Sequence, residues 1–136
     1  MNVHACLRVD ATHEKVLVTL VAENRGERRA WLPRTVAADT ELTGPLFDLR
    51  AHPDSGAVPY LGASHPPAAL TANDYVELPP HSAHTHTIDI TRAYDFRPGD
   101  QAYVIRYEGA AVADIRHPEA TTTLSTSPVV FRHTTP

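Results

Sequence analysis

The stretch KVLVTLVA (15–22), closed by NRGE (24–27), decides the fold class. Its middle is β-branched and its ends are polar, so it reads as a central strand followed by a turn. Upstream, residues 3–9 set Val3, Ala5, Leu7 and Val9 against His4, Cys6 and Arg8. That period of two is a half-buried strand. Downstream, the chain keeps the same grammar. Ala30–Leu32 is short, carries the only tryptophan and is stopped by Pro33. Leu46–Leu49, Val58–Leu61 and Asp74–Leu78 read as further short strands. HTHTIDIT (84–91) and Ala102–Tyr107 alternate cleanly, and the C-terminal stretch gives a last strand interrupted at Pro128. HPDSG (52–56) and RPGD (97–100) are turn signals. Thr91–Phe96 is expected to form one helical or 3₁₀ turn. No segment holds a 3.6-residue period over three turns.

Seven to nine short strands separated by turns predict an all-β fold, an immunoglobulin-like antiparallel β-sandwich, as one domain over 1–136. A jelly roll or small barrel is the alternative. Composition agrees. The 136 residues hold 12 prolines and 6 glycines, and 42% are apolar, which supports a core and argues against disorder. The net charge of -4 argues against binding nucleic acid through a basic field. One cysteine excludes a disulfide framework and a multi-cysteine zinc site. No stretch approaches the roughly 20 apolar residues of a membrane span, and the N-terminus lacks a basic start followed by an apolar run. A cytoplasmic protein is the expectation.

Several segments together resemble a known family. VTLVAENRG (18–26), TELTGPLFDLR (40–50), VPYLG (58–62), TANDYVELPPHS (71–82), IDITRAYDF (88–96) and YVIRYEG (103–109) look like the β-sandwich domain that precedes the catalytic domain in aspzincin metalloproteases, the deuterolysin and peptidyl-Lys endopeptidase family. The resemblance covers roughly residues 3–109, and the run from Asp74-Tyr75 to Asp95-Phe96 is its most specific part. Pro80-His81 stands where the family often has Pro-Gly. Ser64-His65-Pro66-Pro67 replaces a basic pair. No H-E-x-x-H motif occurs, so the apparatus for zinc hydrolysis is missing. The resemblance implies a non-catalytic domain, linked in the family to protease folding and latency.

Three groups of residues are candidates for function. The proline-rich loop 59–70 is the leading surface for a protein partner, through Pro59, Tyr60, Leu61, His65, Pro66 and Pro67, joined by His81. Its competing reading is an ordinary connection packed on its own sheet. His84 and His86 share one strand face, and with His81 they suggest a three-histidine metal site. They also read as edging the core beside Ile88 and Ile90. Cys6 reads either as a thiol that caps a protease's zinc or as a small buried hydrophobe. Arg25, Arg28 and Arg29 read as a solvated loop. Tyr94 or Tyr103 is expected to make the corner hydrogen bond of such sandwiches, with Trp31 and the other aromatic residues in the core. No enzyme and no cofactor are expected. The leading function is a binding module that acts on an aspzincin-type metalloprotease as inhibitor, immunity protein or chaperone. The alternatives are a structural or adhesion-type accessory domain and a histidine-based metal-binding protein.

Overall fold

Apolar and polar residues alternate along the strands, and the apolar set is the core. The computed structural model describes residues 1–12, 14–64 and 71–135. Among these, nine strands and one short helix follow in order. They are β1 (Val3–Ala11), β2 (Val16–Asn24), β3 (Ala30–Pro33), α1 (Arg34–Ala37), β4 (Phe47–His52), β5 (Tyr75–Leu78), β6 (Ser82–Asp89), β7 (Gly99–Val112), β8 (Thr121–Ser125) and β9 (Val129–Thr135). No described helix is long and apolar enough to cross a membrane.

Two antiparallel sheets form the sandwich. One has three strands in the order β1-β2-β6, and the other gathers β4, β3, β5, β8 and β9 around β7. In β2, Val16, Val18, Leu20 and Ala22 are buried and face inward, which makes 15–22 the central strand expected of it. Opposite them lie Phe47 and Leu49 of β4 and Tyr103, Ile105 and Tyr107 of β7, all within one core cluster. Trp31 is different. Ala30 and Leu32 point inward, so Trp31 faces outward and is only half-buried, not in the core.

The 14 residues of β7 hold the larger sheet together. Its first half pairs with β4 and β9, and its second half with β8 and, at Val112, with Trp31 of β3. Glu108 pairs with Ser125 but Ile105 with Val129, so two residues of β7 face three of the opposite edge. This is a one-residue bulge ending at Pro128, whose missing N–H suits an interruption. Thr126 repairs the ladder. Its Oγ1 accepts from Tyr107 N–H at 3.0 Å, and its N–H donates to Tyr107 O at 2.9 Å.

Two readings of local structure change. The Thr91–Phe96 segment makes a single turn, Ala93 N–H to Ile90 O at 3.1 Å, and then an isolated bridge from Tyr94 to Tyr60. The helical turn lies instead at Arg34–Ala37, directly after Pro33, with a 3₁₀ turn at Ala72–Asp74. Val58–Leu61 is not a strand in a sheet. It is held by isolated bridges, at Ala57 to Arg50 and at Tyr60 to Tyr94.

Gly109 follows from the packing of β7. The Tyr107 ring lies over it, and a Cβ built there would collide with the Tyr107 hydroxyl and ring. Tyr107 is 2% exposed and has no room to swing away. Gly109→Ala is expected to destabilise the protein by about 1–3 kcal/mol, the usual range for overpacking. A thermal melt unchanged from wild type would contradict this.

Candidate functional site

The end of the sandwich that carries the β1–β2 turn and the β6–β7 connection is built by pairing between segments distant in sequence. Ile90 N–H donates to Val16 O at 3.0 Å, and Val16 N–H donates to the Thr91 hydroxyl at 2.9 Å. Asp89 accepts from the Thr91 amide at 2.9 Å and from the Thr91 hydroxyl. Partial burial acts to raise the Asp89 carboxyl. The two Thr91 hydrogen bonds, with Lys15 and Arg92 nearby, outweigh it and hold the carboxyl below its ordinary value.

Onto this end docks the segment read as the leading surface. Leu61 N–H donates to Ala93 O at 2.7 Å, and Asp95 N–H donates to Pro59 O at 2.8 Å. The Tyr60 ring meets Tyr94 edge-on at 5.4 Å between centroids, and its hydroxyl donates to Ala63 O. Gly62 permits this. A Cβ there would lie 2.5 Å from the Tyr60 hydroxyl. Tyr94 is fixed in turn, because its hydroxyl donates to Phe47 O and accepts from Phe47 N–H, both at 3.1 Å. Tyr103 performs the same task one corner away, accepting from Arg97 N–H at 2.8 Å. The corner bond expected of Tyr94 or Tyr103 is made by both.

The result is an apolar side chain held out on a fixed backbone. Leu61 is 61% exposed, the most exposed large hydrophobic residue among those described. Two clefts open beside it. One, of about 530 Å³, is bounded by Lys15, Glu41, Gly62 and Asp89. The other, of about 580 Å³, is bounded by Leu61, Tyr94, Phe96, His133 and Thr135. Glu14, Thr91 and Arg92 line both.

The structure does not gather the remaining candidates here. His65, Pro66 and Pro67 lie outside the described residues. His81 stands at the far end of the sandwich, since it precedes β6 while Asp89 closes it. Eight residues of strand separate the ends by roughly 26 Å. His81 cannot share one small contact surface with Leu61. It is a turn residue at φ 54°, in the left-handed region where glycine is unstrained, and it contacts Glu27 at 3.0 Å. Pro80-His81 thus turns the chain with histidine in the left-handed region.

His84 and His86 do share a face, as their parity predicts, but one ring nitrogen of each is committed to a backbone carbonyl. His84 Nε2 donates to Ala37 O at 2.6 Å and His86 Nε2 to Asp39 O at 2.8 Å. The two imidazoles thereby fasten the end of α1 and its exit over the edge of β6. Among the described residues no three His, Cys, Asp or Glu side chains come together as a metal site. Cys6 is neither buried nor near Leu61. It is exposed in the middle of β1, on the outer face of the three-stranded sheet. Arg25 and Arg29 are loop residues paired with Glu23 and Glu77.

Several strand edges are covered. Residues 37–39 cover β6, Ala57 and Val58 bond to β4, and β1 packs beside β8 and β9. No protein-family model matches this sequence, and no curated protein matches it.

Proposed function

We propose that the protein is a non-catalytic binding module of the pro-domain kind. It engages an aspzincin-type metalloprotease through the Pro59–Ala63 end and blocks or chaperones it sterically. The observation that carries this reading is Leu61, exposed yet held by hydrogen bonds on both sides of Tyr60. Exposed apolar anchors on preordered backbone suit association, because the ordering entropy is met before the partner arrives. The sequence resemblance supplies the class of partner.

Titration of the purified protein into an active aspzincin-type metalloprotease, followed by peptide hydrolysis and size exclusion, tests it. Inhibition saturating near one equivalent, with a co-eluting complex, is the expected result. Full protease activity together with separate elution would remove the protease from the proposal and favour an accessory domain with another partner.

A further inference from the structure

The cleft on the Phe96 side of Leu61 presents mainly acceptors. Glu14 and Asp95 stand on its rim, both exposed and neither in an ion pair with a described residue. His133 lines the cleft and is 5% exposed. Its Nδ1 contacts Thr12 O at 2.7 Å, and a carbonyl can only accept, so Nδ1 carries the proton. In the neutral ring Nε2 is then a lone-pair acceptor. Thr135 Oγ1, also of this cleft, is buried and has no hydrogen-bond partner among the described residues. Phe96, Tyr94 and Leu61 supply an apolar wall. Arg92 is the one cation of the lining.

We infer that this cleft receives a lysine or arginine side chain from the protein partner. The inference rests on the loop end being the contact surface. Long cationic side chains have an aliphatic stem and a donor-only head. The stem matches Phe96 and Leu61, and the head matches the Glu14 and Asp95 carboxylates with the lone pair of His133 Nε2. An anionic or purely apolar side chain would leave those acceptors unmatched.

The test uses the full chain and a blocked pentapeptide, Ala-Leu-Lys-Leu-Ala, against its counterpart with norleucine for lysine. Norleucine keeps the stem and removes the charge. In ¹H–¹⁵N NMR titrations the lysine peptide is expected to bind about tenfold tighter, the scale of charge-assisted hydrogen bonds. Saturating shifts are expected at the amides of 91–96 and 133–135. The double variant Glu14→Gln, Asp95→Asn is expected to lose that preference with its melting temperature unchanged, since both side chains are exposed. Arg92→Gln is expected to strengthen binding. Equal affinity for the two peptides, shifts at other residues, no saturable binding, or a preference retained by the double variant would each overturn the inference. The protease titration separates the two proposals. Undiminished inhibition by the double variant overturns the cationic pocket and leaves the contact end standing. Lysine-peptide binding by a protein that does not inhibit keeps the pocket and removes the protease.

Discussion

Asn24→Asp is expected to destabilise the protein by about 3–5 kcal/mol at neutral pH, the scale of an uncompensated buried charge. Asn24 is the last residue of β2 and is 1% exposed. Its Nδ2 donates to Arg28 O at 2.8 Å and to Leu78 O at 3.0 Å, while its Oδ1 accepts from Gly26 N–H at 3.0 Å. One side chain thus ties the three-stranded sheet to the β2–β3 turn and to the end of β5. Aspartate has the same shape but no N–H, so a carboxylate would face two carbonyl oxygens. Burial and that repulsion raise the folded-state pKa of the new carboxyl above its unfolded value of about 3.9. The deficit is therefore smallest below pH 4 and grows as pH rises through the folded pKa. Asn24→Ala removes the charge problem and is expected to cost less, about 2–3 kcal/mol. Urea unfolding at several pH values measures both. A loss under 1 kcal/mol, or an aspartate deficit independent of pH, would contradict the role given to Asn24.

Tyr94 separates the fold's contribution to the site into two parts. Tyr94→Phe removes the hydroxyl shared by the amide and carbonyl of Phe47, and is expected to cost about 1–3 kcal/mol. Tyr94→Ala also removes the ring that supports Tyr60 and leaves a cavity, for a total of about 3–5 kcal/mol. Only the alanine variant is expected to speed hydrogen exchange at the Leu61 amide, because the phenylalanine ring still supports the segment. Unchanged exchange at Leu61 in Tyr94→Ala would mean that the loop does not depend on this aromatic pair. Burial also pushes the hydroxyls of Tyr94 and Tyr107 up to about 12, against about 10 in an unfolded chain. Both keep their protons in the fold where the unfolded chain loses them. Their contribution is intact below pH 10 and is lost as pH climbs towards 12. In an alkaline titration, phenolate absorbance from these two is expected to appear together with unfolding.

The strands were legible because each alternation reports which side faces the core. Tyr103 to Tyr107 and the two faces of β4 needed nothing beyond period two, while Val16 to Ala22, whose outward Leu17 and Val21 are apolar too, is legible from its β-branched middle and polar ends. Strand β7 runs five residues past the alternating stretch because Tyr107 folds over Gly109, so a neighbour replaces the missing side chain. Helix α1 spans four residues and is too short to show a period. The histidines show the limit most clearly. Parity places His84 and His86 on one face, yet the atoms they meet are backbone carbonyls 47 residues away. Neither composition nor spacing encodes that meeting. The site divides in the same way. Pro59, Tyr60 and Leu61 stand out as a proline-framed apolar loop. Glu14, His133 and Thr135 join them only because the β1–β2 turn and β9 reach the same end. The Nδ1 bond from His133 to Thr12 spans 121 positions and leaves no local signal.

The contact surface itself is tested most directly by one comparison. Wild type and Leu61→Asp are titrated side by side into an active aspzincin-type metalloprotease, and peptide hydrolysis is followed. Leu61 is exposed, so its replacement is expected to leave the melting temperature within a degree or so of wild type, as for surface positions in general. Wild type is expected to inhibit stoichiometrically. Leu61→Asp is expected to be roughly thirtyfold to hundredfold weaker, the loss of one apolar anchor made charged. Equal potency of the two proteins would contradict the assignment of this end of the sandwich as the binding surface.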